Sequence, residues 1–386
     1  MDNTVRFFQT TPRLVTGPGC LDNLPGEIKR LGGGKVLIVS DQGLVKSGIV
    51  GRLEALLKQA GLEHLLFDQV PADPPYEVAA QAAQVARDSG ARVLIGIGGG
   101  SPIDIAKVAS ILAVHHRPVA DFFGIDLVPG PGLPTVLIPT TAGTGSEVTP
   151  IAILSDHHEK LKKGIVSAHL FPACAILDPV LTLGLPPAVT AATGMDALIH
   201  AVEAYTSQNA TPMTDMLAVE AMSLIFANLR TAYANGADLE ARAAMMQGSL
   251  LAGMAFANAG VTAVHAFAYP IGAEFHIPHG VANSIMLTPV MEFNMLGRLP
   301  KFAAMAQIFG ESTQGLTPRA AASLAVEAMR LLARDLAVPM SLAAFGVREE
   351  HVADLAQGVM KVTRLLANNP RTLTLADAEA IYRRVL

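Results

Sequence analysis

The amino-acid sequence predicts an N-terminal α/β domain built on a parallel sheet, residues 1–184, and a C-terminal all-α domain, residues 185–386. The chain has 386 residues, which is more than one ordinary hydrophobic core accommodates. Its first half alternates short β-branched runs with amphipathic helical patterns, as βαβ units do. Beyond residues 183–187 (LGLPP) the sequence changes to long stretches rich in Ala, Met and Leu, which are typical of helices.

Four apolar runs of the first half are predicted to be strands buried on both faces. Parallel strands covered by helices on two sides carry continuous apolar runs rather than an alternation of apolar and polar residues. The predicted strands are 35–40 (KVLIVS), 92–97 (RVLIGI), 135–138 (TVLI) and 173–177 (ACAIL), with helices such as 49–60 and 76–88 between some of them.

The second half is predicted to contain helices only. Thr317 followed by Pro318 indicates a capped helix start, and this helix is expected to place Leu324, Ala328, Leu331 and Leu332 on one face and to end before Pro339. Residues 243–273 contain no charged side chain and are long enough to cross a bilayer. Internal glycines and polar residues, with no flanking aromatic or basic anchors, favour instead a buried pair of helices broken near Gly260, with His265 in a wet internal cleft.

Composition excludes several classes of protein. Hydrophobic residues make up 51% of the chain and charged residues 16%, so extensive buried surface is expected and widespread disorder is not. A net charge of -5 and the absence of basic runs argue against nucleic-acid or anionic-membrane partners. Cys20 and Cys174 give neither a disulfide framework nor a zinc-thiolate pattern. The N-terminus lacks the pattern of a signal peptide, and a cytoplasmic location is expected.

A glycine-rich turn lies between a predicted strand and a predicted helix at residues 96–104 (GIGGGSPID). Consecutive glycines let backbone N–H groups approach an anion, and the helix N-terminus adds a favourable dipole for a diphosphate. Ser101 is expected to cap the helix, with Pro102 in its first position and Asp104 three residues after the cap. Because residue 101 is not glycine, the turn departs from the G-x-G-x-x-G pattern, and an ordinary βα turn explains it equally well by itself.

A second loop with donors for a phosphate or carboxamide follows the next strand, at residues 139–150 (PTTAGTGSEVTP). Its hydroxyls come from Thr140, Thr141, Thr144 and Ser146. Two such loops after parallel strands imply a dinucleotide. Asp41, just past the first strand, would accept from a ribose 2′-OH and repel a 2′-phosphate, which favours NAD over NADP. Alone, Asp41 is equally consistent with a solvated turn residue.

Four side chains of the second half form a candidate metal site. Asp196 and His200 are spaced to project from one face of a helix, and His265 and His279 complete the set. One carboxylate with several imidazoles suits Fe2+ or Zn2+ better than Ca2+ or Mg2+. Each histidine alone would more simply be a surface or core residue, and the hypothesis depends on the set.

Four motifs in order resemble the iron-dependent, or group III, alcohol dehydrogenases. They are GGGSPIDIAK (98–107), PTTAGTGSEVTP (139–150), GMDALIHAVEAY (194–205) and HIPHGVANSIMLTPVM (276–291). The resemblance implies a dinucleotide-binding domain, a helical domain, and a cleft between them for NAD(P)(H) and one divalent metal. It also implies a dimer.

The same resemblance assigns residues to roles. The implied metal ligands are Asp196, His200, His265 and His279; the implied cofactor contacts are Asp41, Gly98, Gly99, Gly100, Ser101, Thr140, Thr141, Thr144 and Lys162. Glu203 is expected to orient a ligand rather than to bind metal. Many relatives carry a histidine where this chain has Tyr269, so Tyr269 and His276 remain candidates for proton handling or substrate contact.

The predicted function is metal-dependent hydride transfer between a small alcohol and NAD, or the reverse reduction of an aldehyde or ketone, by a homodimer that binds neither nucleic acid nor membrane. Fe2+ is favoured over Zn2+. Related alternatives are a glycerol dehydrogenase or another polyol or hydroxyacid dehydrogenase, a metal-free maleylacetate reductase, and a dehydroquinate synthase. A non-catalytic NAD-binding module is the alternative from a different class.

Overall fold

The computed structural model describes residues 5–156 and 161–386. The chain divides into two compact units, Met1–Leu183 (unit 1) and Gly184–Leu386 (unit 2).

The described residues of unit 1 form two sheets. The strands are β1 (Leu14–Thr16), β2 (Val36–Val39), β3 (His64–Phe67), β4 (Val93–Gly98), β5 (Gly124–Ile125), β6 (Thr135–Pro139), β7 (Ile151–Asp156), β8 (Leu161–Val166) and β9 (Cys174–Leu177). Six of them form an all-parallel sheet in the order β1-β9-β6-β4-β2-β3. The other three form a small sheet in the order β5-β8-β7, in which β7 and β8 are antiparallel. The four predicted strands correspond to β2, β4, β6 and β9, the interior strands of the large sheet.

Helices cover both faces of the large sheet, which explains why its interior strands are buried at every position and almost entirely apolar. The helices of unit 1 are α1 (Leu24–Arg30), α2 (Gln42–Lys46), α3 (Ile49–Gln59), α4 (Glu77–Ser89) and α5 (Gly100–His115). Leu37 and Leu94 belong to the hydrophobic cluster that includes α4 and α5, whereas Val36 and Val93 belong to the cluster that includes α1 and α3. Successive strand residues therefore pack into opposite cores, as the pleat requires.

Unit 2 contains α-helices and, among its described residues, no strand. The helices are α6 (Pro187–Thr206), α7 (Pro212–Ala234), α8 (Leu239–Ala259), α9 (Ala263–Phe275), α10 (His279–Asn294), α11 (Leu299–Ile308), α12 (Pro318–Asp335), α13 (Val352–Lys361), α14 (Thr363–Leu366) and α15 (Leu375–Arg383). The fold class predicted from the sequence, a parallel-sheet α/β domain with an all-α domain, is confirmed.

Helix α12 begins as predicted, and its buried face includes Ala328 and Leu332 but not Leu331. The Thr317 hydroxyl accepts a hydrogen bond from the Ala320 N–H at 3.2 Å, and Pro318 opens the helix. The prediction that Leu331 lies on the buried face is wrong, because its side chain is 43% exposed. The buried side chains are Ala321, Ala322, Ala325, Val326, Ala328, Met329, Leu332 and Ala333, and this face turns Leu331 outward.

The uncharged stretch 243–273 forms parts of two helices, as predicted, with the break at Gly260. Helices α8 and α9 are bent by 101° relative to each other, and only when taken together do they have the length and apolar composition of a membrane span. No single helix among the described residues is long and apolar enough to cross a membrane. Gly260 has φ +77, and a Cβ there would lie 2.3 Å from Asn368 Nδ2, so both backbone conformation and space require glycine.

Candidate functional site

The four predicted metal ligands come together in unit 2. Asp196 and His200 lie on α6, His265 lies in the first turn of α9, and His279 is the first residue of α10. His200 Nε2 and His265 Nε2 are 3.0 Å apart. Asp196 Oδ1 lies 3.9 Å from His265 Nε2 and 3.8 Å from His279 Nε2.

Local sequence explains why three helices can meet at this point. Asp196 and His200 are four residues apart on α6 and therefore share one face. Gly280 lets the start of α10 approach α6 closely, because a Cβ at this position would lie 2.3 Å from Ala192 O. The bend at Gly260 turns the chain so that α9 begins a new direction just before His265.

The chemistry and spacing of these donors fit one divalent ion. Donor atoms that each lie about 2.0 to 2.2 Å from a common ion are roughly 3 to 4 Å from one another, and these three separations are of this size. The donor atoms of Asp196, His265 and His279 all lie within 4.8 Å of one another, and His200 joins this group through His265. Three imidazoles and one carboxylate are ligands for a transition metal. Beside them, Asn283 Oδ1 is buried with no hydrogen-bond partner among the described residues, as expected where a further polar group completes the contacts.

Glu203 contacts the ring nitrogen of His265 that faces away from the other three ligands. Its carboxylate is fully buried, and Oε2 lies 2.5 Å from His265 Nδ1. Oε1 accepts hydrogen bonds from the Thr262 hydroxyl at 2.5 Å and from the Val264 N–H at 2.7 Å. Because an ionised carboxylate can only accept, the proton resides on His265 Nδ1 and the Nε2 lone pair faces the other donors.

The site carries negative charge that attracts a cation. Burial raises the pKa of Asp196, but the charges of the three histidines together lower it by more than burial raises it. The pKa of Asp196 therefore lies below its usual value. Burial likewise raises the pKa of Glu203, and the charge and hydrogen bonds of its partners, led by His265, bring it below its usual value. For His265, burial lowers the pKa while Glu203 raises it, and the net direction is upward. Both carboxylates are therefore ionised at neutral pH, and a proton competes with a metal for His265.

Asn283 is a site residue that the sequence reasoning missed. Its Nδ2 donates to Asp196 Oδ1 at 2.7 Å and lies 3.1 Å from His279 Nε2. It is four residues after His279 on α10, and the spacing argument that paired Asp196 with His200 would have identified it.

Tyr269 and His276 occupy different environments. Tyr269 is four residues after His265 on α9 and half-buried, and its ring centroid is 6.3 Å from that of His279. His276 is exposed at the C-terminal end of α9, in a left-handed conformation with φ +55. Tyr269 is thus beside the ligand set, whereas His276 points a side chain to solvent.

The first cofactor loop differs from the prediction in where its helix starts. Helix α5 begins at Gly100 with Gly99 as its cap, so the prediction that Ser101 caps the helix is wrong. Ser101 lies within the first turn instead, because the glycines allow the strand to turn directly into helix. Gly98 has φ +151, and a Cβ there would lie 2.7 Å from Pro102 Cγ. This close turn leaves the N–H groups of a 16-residue helix at the carboxyl edge of the sheet.

The second cofactor loop lies directly against the first. Gly98 and Pro139 are paired in register, and the Thr140 N–H donates to Gly98 O at 2.9 Å. A Cβ on Gly99 would be 3.7 Å from Thr141 Oγ1, and a Cβ on Gly100 would be 3.0 Å from Thr144 Cγ2. The predicted glycines and threonines are therefore brought together in unit 1.

A buried lysine and a half-buried aspartate connect the two loops, and the sequence reasoning assigned neither this role. Lys107 Nζ donates to Ser146 Oγ at 2.8 Å and to Ile151 O at 2.9 Å. Asp104 Oδ1 accepts from Ser146 Oγ at 2.5 Å, and its Oδ2 accepts from the Ile153 N–H at 2.9 Å. These contacts fix α5 against the loop that follows β6.

Asp41 and Lys162 both have protein partners. Asp41 caps α2, with Oδ1 accepting from the Leu44 N–H at 3.0 Å, at the carboxyl end of β2. Lys162 Nζ lies 2.5 Å from Asp73 Oδ1. Asp41 thus acts as a turn residue, which was the alternative to a cofactor contact. Its second carboxylate oxygen, Oδ2, takes no part in this cap.

Two domain families and many individual proteins match the chain. Residues 11–179 match the family described as iron-containing alcohol dehydrogenase, and residues 190–386 match the Fe-containing alcohol dehydrogenase family, C-terminal. Long-chain-alcohol dehydrogenase 1 of Geobacillus thermodenitrificans is 44% identical over 96% of this chain and 94% of its own length. Sulfoacetaldehyde reductase of Bilophila wadsworthia is 42% identical over 94% of both chains.

Solved structures of related enzymes have the same fold as this chain. A crystal structure of 1,3-propanediol oxidoreductase superposes with a TM-score of 0.97 at 38% identity and covers 99% of this chain and 100% of that one. Sulfoacetaldehyde reductase from Bifidobacterium kashiwanohense, in complex with NAD+, gives a TM-score of 0.88 at 28% identity, with 99% of each chain covered. The resemblance found in the four motifs is confirmed, and with it the prediction of a metal-dependent alcohol dehydrogenase: the chain belongs to the iron-containing alcohol dehydrogenase family.

Proposed function

We propose that this alcohol dehydrogenase holds one Fe2+ with Asp196, His200, His265 and His279 and transfers a hydride between a small alcohol or aldehyde and NAD. The convergence of the four donor atoms, with Glu203 behind His265, is the observation that carries the proposal. Zn2+ suits the same donors, and iron is preferred on the strength of the family.

Each residue has a definite task in the reaction. When bound, the ion supplies Lewis acidity that lowers the pKa of an alcohol hydroxyl, and the nicotinamide supplies a hydride acceptor. Glu203 keeps the proton of His265 on Nδ1, so Nε2 stays available as a ligand. Asn283 orients the Asp196 carboxylate through its amide N–H. Tyr269 offers a hydroxyl that can donate to a substrate oxygen.

The cofactor loops support NAD as the partner. The N–H groups at the start of α5 suit a diphosphate, and the hydroxyls of Thr140, Thr141 and Thr144 lie in the adjoining loop. Asp41, at the carboxyl end of β2, favours the unphosphorylated ribose of NAD over that of NADP. The complex of NAD+ with a related sulfoacetaldehyde reductase points the same way.

The substrate is proposed only as a class. Names of relatives include dehydrogenases of long-chain alcohols, 1,3-propanediol and methanol and reductases of sulfoacetaldehyde and lactaldehyde. This range indicates that the common metal site does not choose the substrate. Side chains around it do, and Tyr269, where the motif of this chain departs from the family pattern, is one candidate.

Activity of the metal-reconstituted protein tests the proposal. The apoprotein, the Fe2+-loaded protein and the Zn2+-loaded protein are each supplied with NAD+ and a panel of primary, secondary and polyhydric alcohols, and NADH is followed by absorbance. Metal-dependent turnover of at least one alcohol is expected. Binding of NAD+ without turnover of any alcohol, or of any aldehyde in reverse, would instead identify a non-catalytic NAD-binding module.

A further inference from the structure

Two buried asparagines of unit 2 form a reciprocal amide pair. Asn369 Nδ2 donates to Asn294 Oδ1 at 2.8 Å, and Asn294 Nδ2 donates to Asn369 Oδ1 at 2.8 Å. Asn369 Nδ2 also donates to Arg371 O at 2.6 Å. Asn294 is at the C-terminal end of α10, and both side chains are buried. Such a pair fixes the orientation of both amides, because turning either of them would place like groups face to face.

The amide of Asn369 also reaches the first residue of helix α9. Asn369 Oδ1 accepts from the Ala263 N–H at 3.3 Å. The first N–H groups of a helix have no partner inside the helix, and a side chain at the cap position commonly satisfies them. Here Thr262 makes no such bond, because its hydroxyl donates to Glu203. Asn369 and Glu203 together therefore cap α9, at Ala263 and Val264, from two other parts of the fold.

The neighbouring residue holds the chain just before this cap. Asn368 Nδ2 donates to Val261 O at 3.0 Å. The same amide nitrogen would lie only 2.3 Å from a Cβ on Gly260. Residues 368 and 369 thus contact the bend between α8 and α9 on both sides of Thr262. The residue that follows this anchored segment, after Val264, is His265.

We propose that Asn369, fixed by Asn294, is a positioning residue for His265: it anchors the start of α9 so that the imidazole reaches both Glu203 and the other three ligands. The role rests on the proposed metal site and adds to it an anchor that touches none of the ligands. A satisfied buried amide network resists small displacements. Displacement of one ligand among four weakens metal binding even when the fold persists.

The test compares Asn369→Ala and Asn294→Ala with a matched control, Asn228→Ala. Asn228, on α7, also donates one amide hydrogen bond to a backbone carbonyl, Leu224 O, and is outside the network. Three quantities are measured on each protein: the Tm of the metal-free form, hydrogen exchange of the peptide that spans residues 260–266, and the Kd for Zn2+ in chelator-buffered titrations. The kcat at saturating metal is then compared with the kcat at limiting metal.

We expect Asn369→Ala to speed exchange in 260–266 and to raise the Kd for Zn2+ by about 10 to 100-fold, the loss typical for supports of a ligand. Asn294→Ala should shift both quantities in the same direction by less, and Asn228→Ala should shift neither. Excess metal should restore most of the kcat, and an unchanged Tm of the metal-free form distinguishes a displaced ligand from a general loss of stability. If Asn369→Ala does not fold, Asn294→Ala alone decides.

Two contrary results are distinguishable. A folded Asn369→Ala protein with the Kd of the unsubstituted protein, or with a Kd that changes only as much as that of Asn228→Ala, contradicts the positioning role while the proposed function stands. Failure of the unsubstituted protein to bind metal contradicts the proposed function itself, and the positioning role with it.

Discussion

Glu203 Oε2 lies 2.5 Å from His265 Nδ1, and both side chains are buried in unit 2. The contact sets which nitrogen of the imidazole carries the proton and therefore which one can bind a metal. The same carboxylate accepts from the Val264 N–H and the Thr262 hydroxyl, so a single side chain both caps α9 and orients its ligand. Backbone geometry and metal affinity are thus coupled at one residue.

Glu203→Gln should lower metal affinity about 10 to 100-fold while the protein stays folded. The two carboxylate oxygens of Glu203 face three donors: the Thr262 hydroxyl, the Val264 N–H and His265 Nδ1. Glutamine has only one acceptor oxygen, and its amide N–H groups would face at least one of these donors. The Kd for Zn2+, measured by titration against a chelator, checks this expectation. Glu220→Gln, at an exposed position of α7, is the control and should bind metal as the unsubstituted protein does. Equal affinity in both variants would show that Glu203 does not support His265.

Asp41→Asn should relax the preference for NAD+ over NADP+. Asparagine caps a helix about as well as aspartate, so α2 and its bond to the Leu44 N–H should survive while the repulsion of a 2′-phosphate is removed. The ratio of kcat/KM for the two cofactors is the measurement. Asp88→Asn, at an exposed position in α4, should leave the ratio unchanged. An unsubstituted protein that prefers NADP+ would be incompatible with the role given to Asp41.

Tyr269→Phe should change KM and the ranking of alcohols more than it changes kcat. A phenol with an ordinary pKa near 10 is a poor base at neutral pH, whereas its hydroxyl readily donates a hydrogen bond to a substrate oxygen. Steady-state kinetics between pH 6 and 10 on a good substrate distinguish the two roles. A loss of roughly 100-fold in kcat with KM unchanged would mean that Tyr269 relays the proton.

At pH 8, the Glu147→Gln protein should have a higher Tm than the unsubstituted protein. At pH 5, the difference in Tm should be smaller. Burial raises the pKa of Glu147 from 4.5 to about 7, against smaller opposing effects from its own backbone and from Lys107. A carboxyl whose pKa is higher in the folded protein stabilises the fold below pH 4.5, and this contribution is lost as the pH rises through 7. Glutamine does not titrate, so its advantage grows over that interval.

The Tm of the metal-free protein, measured at several pH values between 5 and 8, follows this effect. Glu63→Gln is the control, because the Glu63 side chain is 79% exposed, and it should track the unsubstituted protein. A difference between Glu147→Gln and the unsubstituted protein that stays constant with pH would show that Glu147 is not protonated in the fold.

The interior strands could be predicted from sequence and the peripheral ones could not. Strands β2, β4, β6 and β9 are packed on both faces, so each is buried throughout and, apart from Thr135 in β6, apolar. The edge strands β1 and β3 have 3 and 4 residues and partly exposed side chains, and neither produces a clear pattern. The β7–β8 hairpin, which carries Lys162, has a buried face only at alternate positions of β7 and went unnoticed.

The metal ligands were accessible to sequence reasoning because two share a helix face and all four lie in recognisable motifs. Their supports were less accessible. Asn369 is 106 residues from Ala263 in sequence, and no local spacing connects them. The expectation of a serine cap misplaced the helix start, because the glycines let the chain turn into helix at Gly100, before the serine, without a side-chain cap. A homodimer and a cytoplasmic location stay predictions.

The metal content of His265→Ala shows most directly whether His265 is a metal ligand. Unsubstituted protein and His265→Ala are loaded with Fe2+ or Zn2+ under identical conditions, desalted, and analysed for metal, for far-UV circular dichroism and for alcohol-dependent reduction of NAD+. His169→Ala, at an exposed position of unit 1, serves as the control. Ligation of the ion by His265 predicts one ion per unsubstituted or control chain, and a folded His265→Ala protein with little metal and almost no turnover. A His265→Ala protein that keeps one ion per chain and normal turnover would contradict it.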